Sequence, residues 1–78
     1  MRPKAINVIP QENYTLLIEF DNGEKKIFDV KPYFKHKAFE ELKNVEKFKT
    51  VKIDGLSIKW TNGADICPDE LYNLSIKA

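Results

Sequence analysis

The sequence contains a single cysteine, Cys67, and a single histidine, His36, among its 78 residues. One cysteine forms no intramolecular disulfide, and together these two residues supply too few ligands for a zinc site of the usual spacing. The three glycines, Gly23, Gly55 and Gly63, each lie in a hairpin-like turn, so none belongs to a phosphate-binding loop before a helix. We therefore expect a fold without covalent cross-links, cofactors or metal ions.

The sequence also has no long apolar run. Its first ten residues, MRPKAINVIP, contain no signal-peptide core, and no window approaches the roughly 18 apolar residues that cross a bilayer. We therefore expect a cytoplasmic protein without membrane contact. The chain makes one domain, residues 1–78, and a domain of this size buries only about 60% of the surface of its unfolded chain. So small a core leaves little room for an enclosed substrate cavity.

Charge is nearly balanced over the whole chain, with a net charge of +1, but it is unevenly distributed. Residues 31–52 carry seven lysines and three glutamates, a local net charge of +4. Six of these lysines are candidates for binding an acidic partner or a phosphate: Lys31, Lys35, Lys37, Lys43, Lys47 and Lys49. A solvated face without a ligand explains the same residues, because nucleic-acid-binding domains usually have a stronger overall basic charge.

The segments YTLLIEF and EKKIFDV flank the turn DNG and predict a β-hairpin. A three-residue loop, residues 21–23, pairs Leu16 with Phe28 and Glu19 with Lys25, which matches apolar side chains on one face and opposite charges on the other. Before this hairpin, AINVIP stops at a proline and predicts a short first strand at the edge of a sheet.

The last third of the chain predicts two further turns. In KIDGLSI, a two-residue loop of Asp54 and Gly55 places Ile53 opposite Leu56. In IKWTNGADI, a three-residue loop pairs Ile58 with Ile66 and Lys59 with Asp65. The DNG and TNG loops are alike, but the spacers around them differ, so we infer no repeat. The predicted apolar wall consists of Val51, Ile53, Leu56, Ile58, Trp60, Ala64 and Ile66.

Between the hairpins, AFEELKNVEKF carries the apolar stripe of a short helix, formed by Ala38, Phe39, Leu42 and Val45. We predict a helix from about residue 37 to 44, followed by a further turn that buries Phe48. The fold class is therefore α+β: a small antiparallel sheet of five or six strands built from hairpins, with one helix between them and a short C-terminal helical turn.

The stretch WTNGADICPDELY concentrates reactive side chains, but helix-start chemistry explains them. Cys67 occupies the N-cap position and Pro68 the first position of a terminal helix, PDELYNL, where Asp69 and Glu70 suit the positive end of the dipole. A catalytic pair of Cys67 and His36 has little support, because nothing in the sequence brings the two together. We predict no catalytic residue.

Two aromatic residues allow a functional reading. Trp60 alternates with Ile58 and so fits a core position, whereas an exposed indole at the end of a sheet would anchor a partner. Tyr72, in the terminal helix, is a candidate for partner binding if its side chain is exposed.

The segments YTLLIEFDNGEKKIFDV, AFEELKN, FKTVKID and IKWTNGADICPDELY resemble the DUF2442 family of small bacterial proteins, from about Ala5 to Tyr72. The order W-x-N-G-x-D-x-x-P-D-x-L-Y carries most of this resemblance. It implies a compact α+β module of uncharacterised function, associated with small paired genes of toxin–antitoxin style. No catalytic residues come with the resemblance.

These observations together predict a non-enzymatic interaction module that binds a protein partner or associates with itself. It would act as one member of a two-protein, toxin–antitoxin-like pair. Its expected contacts are the edge of the first strand or the lysine-rich surface of residues 31–52. The alternative is a nucleic-acid-associated protein that uses the same lysines.

Overall fold

The structure, a computed structural model, describes residues 3–78 and contains two antiparallel sheets with short helices between them. The first sheet has the strand order β1-β2-β3-β7, with β1 (Ala5–Gln11), β2 (Thr15–Phe20), β3 (Lys25–Asp29) and β7 (Ile76–Lys77). The second sheet consists of β4 (Lys52–Asp54), β5 (Ser57–Lys59) and β6 (Asp65–Ile66). The helices are α1 (Lys37–Glu40), α2 (Val45–Phe48) and α3 (Pro68–Leu74), with 3-10 turns at Glu12–Tyr14, Lys31–Tyr33 and Glu41–Lys43.

The predicted α+β class is confirmed, but the prediction of one sheet with five or six strands is wrong. Residues 3–78 form seven strands in two sheets. The strand that the sequence did not reveal is β7, which pairs Ile76 with Ile27 of β3. Two residues are too few to show the alternation that marks a strand, so β7 depends on its neighbour for its conformation.

The hairpin of β2 and β3 has the predicted register. Leu16 lies opposite Phe28 and Glu19 opposite Lys25. Both apolar residues of the first pair are fully buried. The loop closes through Gly23, whose φ of +89° is a left-handed conformation that glycine adopts without steric cost.

The turn between β4 and β5 differs from the prediction. Ile53 lies opposite Ile58 and Asp54 opposite Ser57, so the two-residue loop is Gly55 and Leu56 rather than Asp54 and Gly55. Gly55 has a φ of +59°, which suits the first loop position of a type II′ turn. Leu56 is therefore 56% exposed and does not belong to the apolar wall.

The single helix predicted for residues 37–44 is divided into shorter pieces. Helix α1 continues into a 3-10 turn, and Asn44 then takes an extended conformation, with φ −72° and ψ 117°. The Asn44 side chain accepts a hydrogen bond from the Lys47 N–H at 3.2 Å and so caps α2. The interruption leaves Val45 half exposed while Phe48 is buried, as predicted.

The core lies between the inner faces of the two sheets and the helices. Its largest fully buried side chains come from both sheets and from the helical segments: Leu16, Ile18, Phe20, Phe28, Val30, Leu42, Ile58, Trp60 and Leu71. Helix α3 begins as predicted, with Cys67 at the N-cap and Pro68 at its first position. Within residues 3–78, no helix has the length and apolar character needed to cross a membrane.

Candidate protein-binding surface

The first sheet has one buried face and one open face. Along β2, the side chains of Leu16, Ile18 and Phe20 are buried against the core. The residues between them, Leu17 and Glu19, are partly exposed, because successive side chains of a strand point to opposite faces. We call the exposed side of this sheet the outer face.

An apolar stripe crosses the outer face. Ile9 of β1 lies opposite Leu17, Leu17 opposite Ile27, and Ile27 opposite Ile76. Ile9 is 46% exposed and Ile76 is 68% exposed, while the two central residues are partly exposed. We call these four residues the outer stripe. Aligned neighbours on adjacent strands touch one another, so the stripe is one continuous apolar strip across four strands.

Polar and charged residues border the outer stripe on both sides. One row contains Asn7, Glu19 and Lys25, and the other contains Gln11, Thr15 and Asp29. We call them the Lys25 row and the Asp29 row. In the first row the Asn7 amide donates a hydrogen bond to Glu19 Oε1 at 3.4 Å. In the second, Asp29 forms an ion pair with Lys31 at 3.0 Å.

The outer face is shallow. The depression between the outer stripe and the Lys25 row encloses about 60 Å³, far below the several hundred cubic ångströms of a typical small-molecule site. An apolar centre with a polar border and little depth is the form of a surface that binds another protein.

The edge of the first strand is less accessible than the sequence suggested. Strand β1 is the terminal strand of its sheet, as predicted, and it contains Pro10. It also packs against β4 and β5 of the second sheet. The second sheet therefore lies next to this strand, while the side chain of Ile9 remains exposed.

The structure divides the six candidate lysines among different places. Lys31 donates to the carbonyl of Asn13 at 2.6 Å in addition to its ion pair with Asp29. The carbonyl of Lys43 accepts a hydrogen bond from the Tyr14 hydroxyl. Lys49 lines the same groove as Asn13 and Tyr14. All six lysines are exposed. Of the remaining three, Lys35 lines a separate groove beside His36, Lys37 lies in α1 and Lys47 in α2.

A groove of about 460 Å³ separates the turn after β1 from α2. Its wall includes Asn13 and Tyr14, two consecutive residues with positive φ angles of 61° and 58°. The Tyr14 ring packs edge to face on Phe34 and Phe48, with centroid distances of 5.0 and 5.3 Å. These contacts and the hydroxyl bond to Lys43 hold the turn, so its strain has a structural cause.

Trp60 is fully buried, and its indole N–H donates to the carbonyl of Phe48 at 2.8 Å. The prediction that Trp60 occupies a core position is therefore confirmed. The alternative, that Trp60 binds a partner, is wrong, because a buried ring offers no contact area. The hydrogen bond also satisfies the indole, which buried tryptophans generally require.

Tyr72 is partly exposed but engaged within the chain. Its hydroxyl donates to Glu24 Oε1 at 2.6 Å, and Lys26 Nζ lies 3.7 Å from the centre of its ring. The hydrogen bond to Glu24 raises the pKa of Tyr72 and, together with the bond from Asn22, lowers the pKa of Glu24. This contact ties α3 to the loop between β2 and β3.

The region around Cys67 is where the sequence concentrates reactive side chains. Cys67 is exposed, and no hydrogen bond joins it to His36. Tyr33 donates to Glu70 Oε2 at 2.5 Å; burial and then this bond raise the pKa of Tyr33 to about 12. Within the described residues, no cluster of three histidine, cysteine or acidic side chains has the arrangement of a metal site.

The outer stripe was not identified in the sequence, although a signal for it was present. The predicted pairing of Leu16 with Phe28 places Leu17 opposite Ile27 on the face away from the core. Apolar residues that remain after the core is assigned mark an exposed apolar patch. Ile76 had no such signal, because β7 itself was not predicted.

No curated protein and no solved structure matches the chain. The family model described as a protein of unknown function, DUF2442, matches residues 5–77. The match begins with the first residue of β1 and ends with the last residue of β7, so it contains both sheets and all three helices. Because the match covers nearly the whole sequence, the chain belongs to the DUF2442 family.

Proposed function

We propose that this chain is a non-enzymatic protein-binding module whose contact surface is the outer face of the first sheet. The outer stripe is the observation that carries this proposal. An antiparallel sheet with one face in water normally places polar residues on that face. Here four strands instead align an apolar residue at the same level, and a continuous exposed apolar patch typically marks an interaction site.

The surroundings of the outer stripe support the same proposal. The Lys25 row and the Asp29 row provide a polar border of both charge signs, as a protein interface requires around its apolar centre. The lack of depth argues against a metabolite as the ligand. Burying the stripe under a partner would remove Ile9 and Ile76 from water, and each fully buried aliphatic side chain contributes about 1.5–3 kcal/mol.

We further propose that the module serves as one member of a two-protein, toxin–antitoxin-like regulatory pair. The resemblance to small proteins encoded in paired genes supports this assignment. Regulation would then follow from whether the outer face is covered or free.

Nucleic-acid binding by the lysine-rich segment has less support. Lys31 is paired with Asp29, and the other candidate lysines lie in or beside α1, the 3-10 turn Glu41–Lys43 and α2. Glu40, Glu41 and Glu46 lie among them. If the chain binds nucleic acid and its affinity falls steeply with added salt, this alternative is favoured over protein binding.

The proposal is tested by co-purification from the native cell with a doubly substituted chain, Leu17→Thr with Ile27→Thr. Threonine has the β-branched shape that strands favour, and it removes apolar surface. We expect this variant to lose a protein that the wild-type chain retains. The matched control is Val45→Thr, which changes an exposed apolar residue of α2 that is not part of the outer stripe.

Circular dichroism first establishes that both variants are folded. A partner retained equally by the two variants contradicts the proposal. A partner lost from Lys43→Glu with Lys49→Glu, but kept by the stripe variant, assigns binding to the lysine-rich segment instead.

A further inference from the structure

We infer that the outer face binds a second copy of this chain, so that two outer stripes pack against each other about a twofold axis. This inference rests on the proposed function and names the partner. The apolar residues and charges of the outer face are complementary to those of the same face on a second copy rotated by 180°.

Twofold symmetry restricts how one face can meet its own copy. A twofold axis that exchanges two packed faces lies in the plane between them, and the interface is then the same patch on both chains. For a sheet, the two principal directions of this axis run along the outer stripe or along the strands. Each direction predicts a different set of contacts.

With the axis along the outer stripe, each strand lies over the same strand of the second copy in the reverse direction. Ile27 then meets Ile27 of the second copy. The Lys25 row falls on the Asp29 row, so that Lys25 meets Asp29 of the second copy and Glu19 meets Thr15. Among the six residues of the two rows, this arrangement brings no like charges together, and Asp29 then lies between its own Lys31 and Lys25 of the second copy.

With the axis along the strands, β2 lies over β3 of the second copy. Leu17 then meets Ile27, and Lys25 meets Glu19 of the second copy. Asp29 meets Thr15, and again no like charges face each other. Both arrangements therefore cover apolar residues with apolar residues and give Lys25 an acidic partner, a form of complementarity that steers and aligns association. The aligned packing of sheets, rotated by roughly 30°, preserves these neighbours.

The size of the outer face sets the strength of the dimer. Four strands spaced about 4.8 Å apart and about five residues long present roughly 300 Å² in projection. This is well below the roughly 800 Å² per partner of a standard stable interface. We therefore expect a weak, reversible dimer that forms as the concentration rises.

Analytical ultracentrifugation of the purified chain over a dilution series tests the inference. We expect the wild-type chain to pass from monomer to dimer, and the Leu17→Thr, Ile27→Thr variant to remain monomeric at every concentration. Val45→Thr, which leaves the outer face intact, is the matched control and should dimerise as the wild type does. Lys25→Asp should weaken the dimer roughly tenfold or more, because it places like charges together.

Two charge exchanges then identify the axis. Lys25→Asp with Asp29→Lys restores the dimer if the axis runs along the stripe, whereas Lys25→Glu with Glu19→Lys restores it if the axis runs along the strands. Recovery by either exchange supports the inference. A wild-type chain that is monomeric at every concentration, a dimer that is insensitive to the stripe variant, or failure of both exchanges overturns it.

A measurement on the wild-type chain does not depend on whether the variants fold. In amide NMR spectra recorded on dilution, we expect the signals of Leu17 and Ile27 to shift, and those of β5 to stay fixed. Shifts confined to the second sheet overturn the inference. If the wild-type chain is monomeric and the Leu17→Thr, Ile27→Thr variant still loses a co-purified protein, the dimer inference is wrong. The proposal of a protein-binding module then still stands.

Discussion

The DNG loop (Asp21–Gly23) and the TNG loop (Thr61–Gly63) have the same local structure. In each loop the glycine has a φ near +90° and donates its N–H to the carbonyl three residues earlier at 3.0 Å. In each, the asparagine side chain accepts the N–H of the residue two positions later, also at 3.0 Å. Local turn chemistry therefore explains both loops equally well.

Their contacts with the rest of the molecule differ. The Asn62 amide of the TNG loop donates to the carbonyl of Ala38 at 2.9 Å and to Glu41 Oε1 at 3.3 Å, while the Asn22 amide reaches only Glu24. Immediately before the loops, Trp60 donates to the carbonyl of Phe48, whereas Phe20 has no side-chain donor. The TNG loop thus joins the second sheet to residues 37–48, which contain α1, the 3-10 turn Glu41–Lys43 and α2. We call these residues the helical segment.

The two loops differ because the most distinctive stretch of the sequence has a tertiary structural role. The same tripeptide pattern makes a simple turn in one hairpin and a tertiary anchor in the other. The difference arises from what lies opposite the asparagine and from the tryptophan before it. These residues of WTNGADICPDELY stabilise the fold, and the protein-binding surface that we propose, the outer face, lies on the other sheet.

The largest expected effect distinguishes the residues that precede the two loops. Trp60→Phe removes the donor to the buried carbonyl of Phe48 and leaves unfilled volume, so we expect a loss of about 2–4 kcal/mol of unfolding free energy. The matched change Phe20→Leu, which removes an edge-to-face contact with Tyr72, should cost about 1–1.5 kcal/mol. Urea denaturation measures both, and equal losses would contradict the anchoring role of Trp60.

A smaller effect separates the two asparagines. Asn62→Ala removes the turn bond and the bonds to the helical segment, with an expected cost of about 1–2 kcal/mol. Asn22→Ala removes only local bonds of an exposed loop and should cost about 0.5–1 kcal/mol. The test is the difference between the two free energies of unfolding in urea. If Asn22→Ala is as destabilising as Asn62→Ala, the two loops have the same role after all.

The smallest expected effect is a change in stability with pH. It involves Glu24, which follows the DNG loop, and has no counterpart at the TNG loop. The bond from Tyr72 holds the pKa of Glu24 below its ordinary value of 4.5. Ionised Glu24 therefore stabilises the fold above pH 4.5, and this contribution is lost as the pH falls through the lowered pKa. We expect the wild type to be slightly more stable than Glu24→Gln at pH 7. The difference in urea midpoint should disappear toward pH 3, and a difference that persists there would show that the carboxylate charge is not responsible.

Much of the fold followed from the sequence, because period-two apolar patterns and charge pairs specify strand register. Leu16 with Phe28 and Ile58 with Ile66 were predicted correctly on this basis. The β4–β5 turn was not, because the sequence DG does not reveal whether Gly55 is the first or the second loop residue. The helix was predicted as one piece because the apolar spacing continues through Asn44, whose side chain interrupts it by capping α2.

The surface was harder to predict than the fold. The outer stripe depends on β7, whose two residues pair with β3, and on the exposure of one face of the sheet in residues 3–78. The sequence also does not indicate which residues accept the hydrogen bonds from Asn62 and Trp60. Their acceptors are main-chain carbonyls, which every residue type possesses.

This last property bears on how the protein can change during evolution. A side chain that binds a main-chain carbonyl is indifferent to the residue that supplies it. At Ala38, which is exposed, any residue that preserves the backbone can therefore be substituted without losing the bond from Asn62. The donors, in contrast, have few equivalents. The helical segment is free to acquire new surface residues and new specificities, while the TNG loop continues to hold it in place.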